Sequence, residues 1–76
     1  MKTEKDYDLT KNWYRKQRFL DDLWKGMTVS ILNNYIRQMR SSPFSFGVMG
    51  THGNVFIHAE VFKDWFAYKI ENQYIA

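Results

Sequence analysis

The clearest pattern of apolar and polar positions lies in the segment 28–39. Its apolar residues follow the i, i+3, i+4, i+7 spacing that places side chains on one side of a helix, and they are Leu32, Tyr35, Ile36 and Met39. The opposite side has no acidic residue and carries Ser30, Asn33, Asn34, Arg37 and Gln38. Thr28 is placed to cap the first turn. The pattern predicts a short amphipathic helix.

A second helical pattern precedes this segment, over residues 13–24, and its more polar side carries Arg15, Lys16 and Arg18. Thr10 or Asn12 is placed to cap this helix. Gly26 follows at the position where helices commonly end in a left-handed turn. The segment 13–40 therefore predicts a helix-turn-helix, whose second helix can enter the major groove of DNA. An ordinary helical hairpin would show the same pattern.

Beyond Pro43 the period of the pattern changes from that of a helix to that of a strand. Alternate residues over 44–48 are apolar, as in a half-buried strand. The segment 50–53 contains two glycines and predicts a turn, and 54–58 is a second run that favours β-structure. Together they predict an antiparallel hairpin over 44–58.

The last segment, 59–72, predicts a helix with a wide apolar stripe made of Val61, Phe62, Trp65, Phe66 and Ile70. Its polar side carries as many acids as bases, which favours packing on the core over binding to an anionic membrane. Trp65 is expected to be buried against the preceding helices, at Leu20, Leu32 or Ile36. His58 is expected to precede or cap the helix.

Length and composition indicate one small domain that is stabilised by its apolar core. The chain has 76 residues and no cysteine, so neither a disulfide nor a thiolate metal site can form. Residues 1–12 alternate charges and are expected to form a loose N-terminal arm before the domain at 13–76. The chain contains no apolar run of membrane-spanning length, and its charged start lacks the apolar region of a signal peptide. We therefore expect a cytoplasmic protein with no membrane contact.

Positive charge is concentrated in the same part of the chain as the polar helix side. The net charge is +3, and seven of the 11 Lys and Arg residues lie within 11–40, where the only acids are Asp21 and Asp22. Residues 41–58 carry no formal charge. This distribution is typical of a surface that binds a polyanion.

Catalytic chemistry has little support in the sequence, and we expect neither an enzyme nor a cofactor. The chain has no Walker-type phosphate loop and no Gly-x-Ser-x-Gly motif. Asp21 and Asp22 are adjacent on a predicted helix, so their carboxylates point about 100° apart and cannot face each other as an acid–base pair. His52 and His58 lack a third ligand for zinc.

The predicted order of helix, glycine turn, helix, β-hairpin and helix is that of a winged helix-turn-helix, an α+β fold. Thr28 and Leu32 are followed by the exposed pair Asn33-Asn34, and Val55-Phe56-Ile57 leads into Phe62-Lys63-Asp64-Trp65-Phe66. Over residues 13–70 this pattern resembles the small excisionases of phages and conjugative transposons, which are similar to the DNA-binding domain of MerR-type regulators. Family members usually carry more Lys and Arg at the exposed helix positions and at the hairpin tip.

The resemblance implies a non-enzymatic binder of double-stranded DNA from a mobile element, acting as a recombination directionality factor or a small transcriptional regulator. A binder of this size is expected to act with cooperative copies on adjacent sites or with a recombinase (integrase). Asn can pair with adenine and Arg with guanine in the major groove. The expected DNA-binding residues are Arg15, Lys16, Arg18, Thr28, Ser30, Asn33, Asn34, Arg37, Arg40, Thr51 and His52.

Two other kinds of binding compete with the binding of double-stranded DNA as interpretations of the sequence. The large apolar content would also suit a small phage-type interaction module that binds a host protein through exposed aromatic residues. Stacking of aromatic side chains on single-stranded nucleic acid needs exposed rings beside basic residues. The predicted hairpin has no Lys or Arg, so its Phe residues are expected to pack in the core instead.

Overall fold

The structure, a computed structural model, describes residues 3–50 and 54–75, the side chains of 73–75 excepted. Within these ranges the chain forms three α-helices and one three-stranded antiparallel sheet, so the α+β class is confirmed. The elements are β1 (Trp13–Arg15), α1 (Lys16–Asp22), α2 (Val29–Arg40), β2 (Val48–Met49), β3 (Phe56–His58) and α3 (Ala59–Ile75). Short 3-10 helices at Glu4–Asp6 and Ser45–Gly47 precede β1 and β2. In the described part of the chain, no helix is long and apolar enough to cross a membrane.

The central strand of the sheet is β3, which pairs with β1 on one side and β2 on the other. Ile57 lies opposite Tyr14 and Val48, and it is fully buried. Phe56 lies opposite Arg15 and Met49. Because opposed residues share a face and successive residues alternate, Ile57 faces the core while Phe56 lies on the outer face.

The helix predicted from residue 13 begins only at Lys16, and the three residues before it form β1 instead. Asn12 turns the chain with a positive φ of 69°, and its carbonyl accepts a hydrogen bond of 3.0 Å from the backbone N–H of Ala59. This bond aligns the next residues with β3, and pairing there overrides the helical pattern. The predicted caps are also wrong, since α1 has no side-chain cap and Thr10 donates to Asp8.

The prediction of helix α2 is confirmed, together with both of its boundary signals. Gly26 has the positive φ of 95° expected of a left-handed turn. The Thr28 hydroxyl accepts a hydrogen bond of 3.2 Å from the backbone N–H of Ile31 and caps the helix. The side chains of Leu32, Ile36 and Met39 are buried, as their spacing predicts.

Helix α3 is also confirmed, and it extends to Ile75. Trp65 is 2% exposed, and the nearest rings to its own are those of Phe62 at 5.4 Å and Tyr35 at 5.6 Å. The core consists of apolar residues from all three helices and from β3, together with Tyr7, Phe44 and Val55. Its fully buried members are Phe19, Leu32, Met39, Ile57, Val61 and Phe62.

The predicted hairpin is confirmed for β2 and β3, but it is shorter than 44–58. The residues before β2 form the 3-10 helix, in which the Gly47 N–H donates to the Phe44 carbonyl at 3.0 Å. Phe44 is 3% exposed, so its apolar character reflects core packing and not strand alternation. A Cβ added at Gly47 would overlap Val61 and lie 2.6 Å from the Met39 methyl carbon. This contact packs the 3-10 helix directly against α2 and α3.

The described residues before β1 contact the domain through Tyr7 and Asp8, whereas a loose arm was expected for them. Tyr7 is 8% exposed, and its hydroxyl donates a hydrogen bond of 2.6 Å to the Asp64 carboxylate on α3. His58 is fully buried between this segment and α3. Its Nε2 donates to the Asp8 carbonyl at 2.9 Å, and its Nδ1 accepts from the Val61 backbone N–H at 3.3 Å. The expectation that His58 precedes or caps the last helix is therefore confirmed.

Candidate nucleic-acid interface

A groove of about 400 Å³ runs along one edge of α2, between this helix, the start of α1 and the residue before β3. We call it the basic groove. The residues that line it are Lys16, Asn33, Ile36, Arg37, Arg40, Ser41 and Val55. The groove thus brings together side chains from three parts of the chain that are distant in sequence.

The basic groove is positioned by the burial of the apolar side of α2. Leu32, Ile36 and Met39 fix the rotation of the helix because they lie in the core. Asn33 and Arg37 are one helical turn apart and therefore lie on the same exposed side. Lys16 reaches the groove because β1 ends at the preceding residue and directs the chain toward α2.

The end of α2 is tied to the residue that follows β2. The Arg40 guanidinium donates a hydrogen bond of 2.7 Å to the Gly50 carbonyl. Gly50 has a φ of 90°, and a Cβ at this position would overlap the backbone carbonyl of Asn54. A glycine is therefore required at this position. The Arg40–Gly50 bond holds the hairpin beside the basic groove.

The electrostatics of the basic groove favour an anionic ligand. Lys16, Arg37 and Arg40 contribute three positive charges, and no acidic side chain of the described residues lines the groove. Asn33 and Ser41 add uncharged hydrogen-bonding groups. Clustered cations interact favourably with phosphate groups, which accept hydrogen bonds from both Lys and Arg.

Two of the expected basic residues lie elsewhere. Arg15 and Arg18 line a separate cleft of about 400 Å³ together with Trp13, Tyr14 and Phe56. The Arg15 guanidinium carbon lies 5.2 Å from the centre of the Phe56 ring. Arg18 donates a hydrogen bond of 2.7 Å to the Asp22 carboxylate, and this bond raises the pKa of the guanidinium. The Arg18 charge is therefore balanced locally by Asp22.

The aromatic members of this cleft are not predicted from the sequence, because the helical pattern includes residues 13–15. Three consecutive β-favouring or neutral residues directly after Asn12, two of them aromatic, were the available signal for a strand. Phe56 is half-buried beside Arg15, which lies on β1 and not in the hairpin. The predicted hairpin has no basic residue, so nothing in the sequence indicated that Arg15 would lie beside Phe56.

The remaining expected residues fall into two groups. Thr28 caps α2, while Ser30 and Asn34 are exposed on the helix but do not line the basic groove. Thr51 and His52 lie outside the described residues. Of the expected set, the structure brings Lys16, Asn33, Arg37 and Arg40 into one site.

The described residues contain no cluster of three or more His, Asp and Glu side chains that could hold a metal ion. Comparison of the chain with protein-family models, with curated proteins and with solved structures found no match.

Proposed function

We propose that this protein binds double-stranded DNA without catalysing a reaction, with α2 in the major groove, Asn33 and Arg37 toward the bases, and Lys16 toward the sugar-phosphate backbone. The observation that carries the proposal is the composition of the basic groove, where Lys16, Arg37 and Arg40 converge without an acidic neighbour among the described residues. A phosphate backbone is the ligand that best matches several cations spread along a helix edge.

The order of elements supports a winged helix-turn-helix as the finer description of the fold. Helices α1 and α2 are joined by a short turn, β2 and β3 follow, and α3 packs on the core. In such a domain the second helix reads the major groove and the hairpin lies beside it. The Arg40–Gly50 bond would hold the hairpin in the position of a wing.

Within this class we propose an excisionase-like recombination factor or a small transcriptional regulator of a mobile element. Both activities require a compact binder that occupies DNA and positions a second protein or another copy of itself. The small number of cations in the basic groove is consistent with this role, since few phosphate contacts give modest affinity and favour cooperative binding.

A salt titration with two variants tests the proposal. The logarithm of the association constant falls with the logarithm of salt concentration by about 0.9 per phosphate neutralised. Lys16→Ala should reduce this slope by about 0.9 and weaken binding equally on all duplexes. The matched control is Lys63→Ala, which removes the same charge from the exposed side of α3. Its slope should equal that of the unmodified protein.

Arg37 gives a different expectation, because in the proposed complex its side chain reads a base. Arg37→Ala should cost about 1–3 kcal/mol on a duplex selected from random sequence and less on unrelated duplexes. Binding is measured by fluorescence anisotropy on a panel of such duplexes. Equal affinity of Arg37→Ala and the unmodified protein on every duplex, together with an unchanged slope for Lys16→Ala, would refute DNA binding by this surface.

A protein-interaction module is the second candidate, and one surface favours it. Leu23 is 45% exposed and forms a mostly apolar cleft with Trp24, Ala59, Glu60 and Lys63. Exposed apolar clefts of this kind are typical of protein contacts. The salt dependence of binding separates the two functions, because DNA binding weakens steeply with salt, whereas association with a protein through an apolar surface depends little on it.

A further inference from the structure

Two aliphatic side chains are exposed at the beginning of α2. Val29 is 42% exposed and Ile31 is 44% exposed, although the rest of the exposed helix surface is polar. Neither side chain is needed for capping, which Thr28 provides. Val29 lies on the same side of the helix as residues of the basic groove, whereas Ile31 does not.

Val29 belongs to the same row of side chains as two residues of the basic groove. The positions of Val29, Asn33 and Arg37 differ by four residues each, so the three side chains follow one another along one side of the helix. Asn33 and Arg37 line the groove, and Val29 continues the row by one turn toward the helix start. Ile31 is two residues from Val29 and therefore lies about 200° around the helix.

The chemistry of the major groove restricts what Val29 can contact there. Its side chain has no hydrogen-bonding group, whereas base edges present donors and acceptors, with one apolar exception. That exception is the 5-methyl group of thymine. An aliphatic side chain in a row of base-reading residues therefore matches thymine and no other base.

We infer that Val29 is a specificity-determining residue that contacts the 5-methyl group of a thymine, an inference that rests on the proposed binding of duplex DNA by α2. Asn33 then pairs with adenine and Arg37 with guanine further along the helix. Successive residues of the row are separated by a rise of about 6 Å, which lies between one and two base steps of about 3.4 Å. The three contacts therefore fall within one stretch of a single major groove.

The surroundings of Val29 are compatible with this contact. On its other side it borders a hollow that includes Gln17 and Asp21 of α1. The Asp21 carboxylate accepts a hydrogen bond of 3.0 Å from the Gln17 amide, so it is already engaged within its own helix. Arg37 and Arg40, further along α2, supply the positive charge that draws the backbone toward the helix.

The experiment removes the 5-methyl group of single thymines from the DNA and shortens the Val29 side chain of the protein. A duplex is selected from random sequence with the full chain, and each thymine is replaced in turn by deoxyuridine, which lacks only the 5-methyl group. For the unmodified protein, replacement at one position should weaken binding roughly fourfold, the value expected for one buried methyl group. For Val29→Ala, which lacks the two γ-methyl groups, the same replacement should weaken binding less.

The matched control is Ile31→Ala, which shortens an equally exposed aliphatic side chain on the other side of α2. It should keep the fourfold preference for thymine over deoxyuridine. Loss of that preference in Ile31→Ala, or an equal preference in Val29→Ala and the unmodified protein, would overturn the inference. In either case salt-dependent binding would remain and the proposed function would stand. Failure to bind any selected duplex would overturn both.

Discussion

Two glycines with the same unusual backbone conformation have different surroundings. Gly26 and Gly50 have φ values of 95° and 90°. A Cβ at Gly26 would meet no atom within 4 Å, whereas a Cβ at Gly50 would overlap the Asn54 carbonyl. Positive φ explains the glycine at both positions, but only Gly50 is also required by the approach of a second backbone segment.

The comparison of these two glycines gives a prediction at the scale of single residues. Gly26→Ala should cost about 1–2 kcal/mol in the free energy of unfolding, the conformational penalty alone. Gly50→Ala should cost more, because the backbone at Asn54 must also move, and it should weaken the Arg40–Gly50 bond. Urea unfolding of both variants measures the difference. Equal destabilisation by the two substitutions would show that the turn at Gly50 can relax freely.

At the scale of elements, the segment before β1 is joined to α3 by a buried tyrosine. Burial is the main cause that raises the pKa of Tyr7 above its ordinary value, and the hydrogen bond to Asp64 adds to it. A raised folded-state pKa means that the neutral form of Tyr7 stabilises the folded protein. This stabilisation is complete below about pH 10, the pKa of tyrosine in the unfolded chain, and it is lost as the pH rises from there toward the folded-state pKa.

The Tyr7→Phe variant tests this linkage. At pH 7 it should be less stable than the unmodified protein by about 1.5–3 kcal/mol, the usual contribution of a hydrogen bond to a charged group. Above about pH 10 the difference in the free energy of unfolding should shrink, because only the unmodified protein loses the stabilisation that neutral Tyr7 provides. Chemical unfolding at pH 7 and at several pH values above 10 measures the difference. A constant difference across this range would contradict the assignment.

The elements differ in how far the sequence alone could predict them. Helix α2 was predictable because its period, its Thr28 cap and the preceding Gly26 are all local signals. Strand β1 was not, because it forms through pairing with a strand more than forty residues later, and the local pattern is also compatible with a helix. The residues of the candidate site likewise divide into those placed by local signals and those placed by long-range pairing. Asn33, Arg37 and Arg40 were placed correctly on α2, whereas the separation of Lys16 from Arg15 depends on where β1 ends.

At the scale of the whole molecule, stability depends on one core that all three helices share. Trp65→Ala should cost about 3–5 kcal/mol, because it removes a nearly fully buried ring that packs against Phe62 and Tyr35. That cost is a large part of the 5–15 kcal/mol that stabilises a typical domain. Thermal unfolding should show a greatly lowered midpoint or no folded state. The control is Leu23→Ala, an exposed position that should have little effect.

A melting temperature of Trp65→Ala within a few degrees of that of the unmodified protein would mean that α3 is an appendage and not part of the core. The burial of Val61, Phe62 and Trp65 against residues of α1 and α2 argues for the opposite outcome.

The position of β3 at the centre of the sheet affects how the chain can fold during its synthesis. Both β1 and β2 pair with β3, which is made last of the three. A nascent chain that ends before residue 56 therefore has two strands without a partner and no sheet, and it also lacks the apolar side of α3. Folding of this domain must wait until β3 and α3 have been made, and contacts of such large sequence separation slow it further. The protein should consequently fold in one late, cooperative step, with no stable N-terminal intermediate.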